Sequence, residues 1–178
     1  WWANKQAWQL GLKYINAFKV KGLTFQAEYN EVRPYTYTHG SVPQNYAHYG
    51  QPLAHPYGAN FTEYLGFVSY RHSRFMISAQ GVYAIIGIDS TGSNVGQNIF
   101  LSYTTRPREY GHKTTQGIKT NFMQSDVRLT YYLVPQMNLR IELGYIQRSQ
   151  TDERGPELQN PYIYFALKTS FWNFYRDY

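Results

Sequence analysis

The chain has 178 residues, a length typical of one domain, and it contains no cysteine, which excludes disulfides and cysteine-based zinc sites. Aromatic residues make up 19% of the chain, which includes 19 tyrosines, and its formal net charge is +6. The basic residues lie in short scattered groups, so the sequence does not predict a nucleic-acid groove.

A membrane-spanning helix is not predicted. The longest apolar run is Gly81–Ile88, whereas a helix needs roughly 20 apolar residues to cross a bilayer. A tilted strand needs only ~9–11 residues, of which one face is apolar. The negative mean hydropathy is therefore compatible with a membrane β-barrel.

Apolar and polar residues alternate with a period of two along much of the chain, and this pattern predicts strands. In Leu23–Asn30, Leu, Phe, Ala and Tyr occupy one face, and Thr, Gln, Glu and Asn occupy the other. Asp126–Leu133 and Asn138–Tyr145 alternate in the same way. The predicted strands lie near 8–17, 23–33, 61–71, 75–87, 122–134, 137–148 and 161–174.

The predicted connections alternate between short and long. The short ones are 18–22, 72–74 and 134–136, and the long ones are 34–60, 88–121 and 149–160. Short turns at one end of the strands and long loops at the other are typical of outer-membrane barrels. An aromatic-rich β-sandwich is the alternative, because its strands are also short and evenly spaced.

The two faces of the predicted strands differ in chemistry. Charged residues lie mid-strand on the polar face, which in a barrel lines the lumen; they include Asp126, Arg128, Arg140 and Glu142. Aromatic residues near strand ends of the apolar face predict interfacial girdles. These residues are Tyr14, Tyr29, Tyr70, Phe75, Tyr83, Tyr145 and Phe171.

The predicted fold is therefore all-β, an antiparallel outer-membrane β-barrel with alternating short turns and long loops. About seven strands cannot close a barrel alone, since known membrane barrels start at about eight. We interpret residues 1–178 as the C-terminal part of one barrel domain of a longer chain. If Phe18 and Leu23 face each other across the first turn, Lys13 lies opposite Glu28 and the two can form an ion pair.

The long loop 34–60 contains Gln51–Asn60, with the sequence Gln-Pro-Leu-Ala-His-Pro-Tyr-Gly-Ala-Asn. This string resembles the capsule-assembly family typified by Wzi, and is most similar to the branch in Bacteroidota that includes the gliding-motility protein RemB. The second long loop adds Gly96–Tyr103, Arg106 and Glu109–Gly111 to the resemblance, which covers about 23–178.

The resemblance implies an outer-membrane barrel at the bacterial cell surface, surrounded by outer-membrane lipid. Wzi-like members act as lectins that hold capsular polysaccharide on the cell, and the RemB-like branch is tied to gliding motility and surface adhesion. The leading hypothesis is accordingly a non-enzymatic surface protein that binds or anchors capsular polysaccharide or exopolysaccharide. The alternatives are a structural barrel subunit of a larger outer-membrane complex for secretion, gliding or nutrient uptake, and a porin or transporter.

The candidate glycan-binding residues come from the two long loops. Sugar rings stack on aromatic faces, sugar hydroxyls suit Asn, Gln and His, and acidic sugars suit Arg. The candidates are His48, Tyr49, Gln51, His55, Tyr57, Asn60, Arg106, Arg108 and Tyr110. The alternative is that the aromatic residues plug the barrel and that the arginines pair with Glu109 or Asp89.

An enzyme is not predicted. The chain has no phosphate-binding loop and no nucleophile elbow. Asp89, Ser90 and His112 have no spacing that specifies a catalytic triad. His48 and His55 lack a partner at metal-ligand spacing. We therefore expect no cofactor and no metal.

Overall fold

The computed structural model describes residues 1–170, which are all-β. The strands are β1 Ala7–Ile15, β2 Leu23–Val32, β3 Ala47–His48, β4 Gln51–Pro52, β5 Phe61–His72, β6 Phe75–Ile88, β7 Ile118–Val134, β8 Leu139–Asp152 and β9 Leu158–Lys168. Single 3-10 turns span Ala17–Lys19, Val42–Gln44, Tyr103–Thr105 and Pro135–Met137.

Seven strands form one antiparallel sheet in the order β1-β2-β5-β6-β7-β8-β9, and β3 and β4 form a separate hairpin. Each strand of the large sheet pairs with the strands of that sheet that come before and after it in the chain, so the sheet contains no crossover connection. Within residues 1–170, β1 and β9 are the two edges of this sheet and do not pair with each other.

The seven predicted strands are confirmed, and the predicted alternation of connections holds for two of the three long loops. The short turns are 16–22, 73–74 and 135–138, and the long loops are 33–60 and 89–117. The third predicted long loop is wrong: β8 and β9 extend towards each other, and only residues 153–157 connect them. The predicted end of the last strand, with Phe171, lies outside the described residues.

The predicted register of the first hairpin is wrong by two residues. Lys13 lies opposite Gln26, and Glu28 lies opposite Gly11. The turn sets this register, because its 3-10 segment is followed by Gly22, whose backbone N–H donates to Asn16 Oδ1 at 2.9 Å. Lys13 and Glu28 still share a face, but they are not cross-strand partners.

One face of the large sheet, here called the inner face, carries the small core at the long-loop end. Phe61, Ala84 and Phe122 on adjacent strands pack there against Ala59 and Ile99 from the two long loops. Burial of this apolar cluster attaches the loops to the sheet.

The rest of the inner face is mostly polar, apart from residues such as Leu65 and Phe67 on β5, and its buried carboxylates are paired. Glu63 accepts hydrogen bonds from Asn30 Nδ2 at 2.9 Å, and the Glu142 carboxylate accepts from the Tyr164 hydroxyl at 2.6 Å. Lys168 also pairs with Glu142, and the Asp126 carboxylate takes two hydrogen bonds from the Arg128 guanidinium. A buried charge is costly without such partners.

The opposite face, here called the outer face, is apolar and uncovered by other residues of the described chain. Leu129 and Leu143 are cross-strand neighbours in the middle of the sheet, yet they are 51% and 49% exposed. Monomeric soluble proteins rarely expose large contiguous apolar surfaces. An exposed apolar surface of this kind is typical of a contact site for another protein or for lipid.

Candidate functional site

Residues 1–6, 33–60 and 89–117 pack together at one end of the sheet, and we call this unit the loop cap. The Tyr35 amide donates to Gly96 O at 2.9 Å, and the Ala59 amide donates to Gln97 O at 3.1 Å. Ser102 Oγ donates to Gly40 O at 2.8 Å. These hydrogen bonds join the two loops, so the loop cap is a structured surface.

The loop cap also contains the segment that precedes β1. The Trp2 amide donates to Glu109 O at 3.0 Å, and the Trp2 ring lies 4.4 Å from the ring of Tyr103, centroid to centroid. Arg33 donates from Nε to Asn4 O at 2.9 Å. Three stretches that are distant in sequence thus build one surface.

Three of the nine predicted candidates are packed inside the loop cap. The His55 ring lies 4.4 Å from the Phe61 ring and its Nε2 is 3.2 Å from Glu63 Oε2. Tyr57 packs against Phe61 and Phe122, and burial raises its pKa to about 12. These contacts attach the first loop to the inner face.

Asn60 is the most constrained candidate, because its side chain is fully buried. Its Nδ2 donates to Gly87 O and to Gln116 O, both at 2.7 Å, and its Oδ1 accepts from the Gln116 amide at 3.1 Å. This amide joins the end of the first loop to the end of the second and has no access to a ligand.

Three other candidates lie at the exposed tip of the β3–β4 hairpin. His48 and Gln51 are opposite each other, with Tyr49 and Gly50 at the turn. The Tyr49 side chain is 95% exposed, and its ring lies edge-on to the His48 ring at 4.2 Å. The short strands that present these side chains were not predicted from the sequence.

The candidates of the second loop differ among themselves. Arg106 pairs with Glu109 and donates to Tyr103 O at 3.0 Å, while its guanidinium carbon lies 4.4 Å from the Trp2 ring centroid. Arg108 donates to Gly111 O at 3.1 Å and is exposed, and Tyr110 is 72% exposed. The predicted pairing of an arginine with Glu109 is therefore observed for Arg106.

The structure brings together further side chains that were not predicted as candidates. A groove of about 380 Å³ lies between the segment that precedes β1 and the start of the first loop. Its lining consists of Lys5, Thr36, Tyr37, Thr38, His39, Gln44 and Tyr46. Lys5 lies outside the two long loops from which the candidates were predicted, and only the high tyrosine content of the first loop points to this groove in the sequence.

Two of the side chains considered for a catalytic triad, Asp89 and His112, form hydrogen bonds within the loop cap. Asp89 accepts the Val95 amide at 2.6 Å and the Asn98 amide at 2.9 Å. His112 is buried between Arg108 O and the Gln116 side-chain amide, each at 2.9 Å. Asp89 and His112 thus fix the second loop, and none of these hydrogen bonds involves Ser90.

In residues 1–170, no three His, Asp or Glu side chains are grouped as a metal site requires. Over the same residues, no helix is long and apolar enough to cross a membrane. Comparisons with protein-family models, curated proteins and solved structures found no match for this chain. A functional proposal therefore rests on the two faces of the sheet and on the loop cap.

Proposed function

We propose that this chain is part of an outer-membrane β-barrel that binds or anchors a surface polysaccharide through its loop cap, and that it serves surface adhesion or gliding. The observation that carries the proposal is an apolar band on the outer face that is bounded by aromatic residues at both ends. We further propose that the two long loops are related to those of the Wzi-like family, a relation that would imply the same function.

The first aromatic row lies towards the loop cap. Tyr29, Tyr64 and Tyr83 are cross-strand neighbours on β2, β5 and β6, with ring centroids 5.1 and 6.5 Å apart. The Tyr29 hydroxyl donates to Glu31 and the Tyr83 hydroxyl to Asn121, both on the loop-cap side of the row. Rings in the apolar band with hydroxyls towards polar groups fit a membrane interface.

The second aromatic row lies towards the short turns. Phe75 and Tyr131 are cross-strand neighbours with ring centroids 4.8 Å apart, and Tyr70 lies on the adjacent strand. Phe18 in the first turn contacts Tyr14 and Phe25. Aromatic residues at both limits of an apolar band are the arrangement of outer-membrane barrels.

The spacing of the two rows suits a bilayer. Phe75 and Tyr83 on β6 are separated by Ile77, Ala79 and Gly81 on the outer face. Eight residues of strand extend about 26 Å, which at a tilt of about 40° gives roughly 20 Å along the membrane normal. This height is comparable with the apolar band of ~25 Å in membrane barrels.

The polar inner face supports a barrel rather than a sandwich. A sandwich would bury its apolar face under a second sheet, and its charged face would contact water. Here the buried carboxylates Glu63, Asp126 and Glu142 are paired on the inner face, while the outer face consists largely of exposed apolar side chains such as Leu129 and Leu143. A polar interior with an apolar exterior is the inverse of a soluble fold and suits lipid.

The loop cap supports binding rather than free passage through the lumen. His55 and Tyr57 fold the first loop onto the inner face, where a transport path would open. The exposed side chains of the cap include rings and hydrogen-bonding groups, among them Tyr49, Gln51 and Tyr110. Stacking faces next to polar groups suit a carbohydrate.

The proposal is tested by deleting the gene and measuring polysaccharide on cells and in the medium. We expect polysaccharide to move from the cells to the medium, and expression of the protein to restore retention. The double variant Tyr49→Ala/Tyr110→Ala should restore it poorly. The control is Phe18→Ala, which removes a ring with about the same exposed fraction as Tyr110, 73% against 72%, at the opposite end of the sheet, and this variant should restore retention.

Unchanged retention in the deletion strain would show that polysaccharide anchoring is not the function. Co-purification of the protein with other outer-membrane proteins would then favour the structural-subunit alternative. His55 and Tyr57 are poor choices for this experiment, because their rings pack against Phe61 and their loss would disturb the loop cap itself.

A further inference from the structure

The groove beside Lys5 offers both a stacking platform and a cation. The rings of Tyr37 and Tyr46 are stacked, with centroids 5.8 Å apart and planes inclined by 30°. The Tyr46 amide donates to Tyr37 O at 3.0 Å, which fixes the two residues beside each other. Tyr37 also packs against the apolar core, so the platform is anchored to the sheet.

Lys5 lines this groove, and its ammonium group donates one hydrogen bond to the rest of the described chain. Its Nζ donates to Thr38 O at 2.7 Å and lies 4.4 Å from the centroid of the Tyr103 ring. An ammonium group has three donors, and among residues 1–170 only Thr38 O accepts a hydrogen bond from this one, while the Trp2 ring is a second aromatic contact at 5.4 Å. Among residues 1–170, no carboxylate lies within 4 Å of Lys5 Nζ, and partial burial lowers its pKa.

The loop cap as a whole carries a net positive charge, which has the same sign as Lys5. Lys5, Arg33, Arg106, Arg108 and Lys113 are its basic residues, against Asp89 and Glu109 as its acidic ones. The field of this surface therefore attracts anions and repels cations. A neutral glycan would gain nothing from it, whereas a chain of acidic sugars would.

We propose that this groove is a subsite for a carboxylate-bearing sugar unit, in which the ring contacts the Tyr37–Tyr46 platform and the carboxylate accepts from Lys5. The groove volume of about 380 Å³ lies within the roughly 300–1,000 Å³ of small-molecule sites. This inference rests on the proposed function and names the class of polysaccharide, a polyuronate.

The test compares alginate, a polyuronate, with dextran, a neutral glucan, as ligands of the detergent-purified protein. We expect alginate to bind at least about tenfold more tightly, since a charge-assisted hydrogen bond is added. Lys5→Gln should weaken alginate binding about tenfold and leave dextran binding unchanged. Lys113→Gln is the matched control, because it removes the same charge from the cap outside the groove, and we expect an effect below about threefold.

Equal effects of Lys5→Gln and Lys113→Gln would overturn the subsite, because binding would then follow total charge alone. Equal affinity for alginate and dextran would also overturn it and would leave polysaccharide anchoring intact. Absence of alginate binding would overturn it as well. The retention experiment on cells makes no assumption about the sugar, so it decides the proposed function independently. Thermal unfolding of both variants verifies that each retains its fold.

Discussion

Gly144 on β8 lies directly beneath the ring of Tyr164 on β9, its cross-strand neighbour. A Cβ at position 144 would lie 2.2 Å from Tyr164 Cε1. The ring is held there because its hydroxyl donates to Glu142 Oε1 at 2.6 Å. The glycine therefore lets an aromatic ring lie flat on the inner face and reach a buried carboxylate.

We expect Gly144→Ala to lower the free energy of unfolding by about 1–3 kcal/mol, because the ring must move away from Glu142. The control is Gly81→Ala in β6, where an added Cβ meets nothing within 4 Å. Denaturant titration of the purified proteins measures the free energy of unfolding of both variants. Equal stabilities of the two variants would show that Tyr164 moves without cost.

Asn60 combines a left-handed backbone, with φ of 60°, and a fully buried amide that joins both long loops. Asn60→Ala removes three hydrogen bonds, and we expect a loss of about 2–4 kcal/mol. Asn60→Asp should lower the free energy of unfolding further at neutral pH, because a carboxylate would face the carbonyl oxygens of Gly87 and Gln116. Thermal unfolding ranks the variants, and an aspartate that matches asparagine would contradict this arrangement.

At the scale of elements, the loop cap contains Tyr35, which is fully buried, and Tyr57, which is partly buried, and the pKa values of both are raised. Tyr35 is fully buried and its hydroxyl donates to Asn94 O at 2.7 Å. Burial, followed by the charge of Asp89, raises the pKa of Tyr35 to about 12. Burial likewise raises the pKa of Tyr57 to about 12. Both rings therefore favour the protonated form in the folded state.

Because the unfolded pKa of tyrosine is about 10, these residues stabilise the cap fully below pH 10 and lose that contribution as the pH rises to about 12. We expect the near-ultraviolet circular dichroism of the cap to change over this range. Tyr35→Phe, which cannot ionise, should reduce the change. Tyr110→Phe, which alters an exposed ring, should leave it intact, and the reverse result would contradict the buried position of Tyr35.

The sheet could be predicted from the sequence because its signal is local. A strand with unlike faces alternates with a period of two, so even β5, with Leu65 and Phe67 on the same face as Glu63, was correctly placed. The ends of β8 and β9 were missed, because Gln147 to Asn160 is largely polar on both faces. The register of the first hairpin was missed because turn geometry, rather than side-chain pattern, sets it.

The loop cap could not be predicted in the same way, because its contacts are non-local. Hydrogen bonds join Asn60 to Gln116 and Ser102 to Gly40, and no periodic pattern encodes such pairs. The sequence did identify the loops as rich in polar and aromatic groups. It did not distinguish Tyr57, which is packed, from Tyr49, which is exposed, since burial depends on which loop lies above.

For the whole molecule, the proposed lipid contact predicts a mutational pattern that a soluble protein would not give. Val127 lies mid-sheet on the outer face and is 44% exposed. In lipid, Val127→Arg should destabilise the protein by about 2–4 kcal/mol, whereas an exposed position in water tolerates such a change within about 0.5 kcal/mol. Ser149→Arg, which lies on the same face near the loop-cap end, should cost about 0–1 kcal/mol.

Unfolding of the protein in liposomes measures this difference. If Val127→Arg and Ser149→Arg were equally stable, the outer face would not contact lipid. A sandwich with an unseen second sheet would instead make Val127→Arg harmful in detergent-free buffer, where a lipid-facing protein should aggregate. The choice of solvent thus separates the two architectures.

The interlocked loops also set an order of assembly. The β5–β6 and β7–β8 hairpins close over turns of a few residues, whereas the cap joins residues up to 107 positions apart, as between Trp2 and Glu109. Short loops close sooner than long ones, since less chain entropy is lost. We therefore expect the cap to form last, after β2 and β5–β7 have paired. A chain whose strands pair incorrectly would then form no loop cap and no binding surface. Ligand binding by the cap would therefore indicate that the sheet has folded correctly.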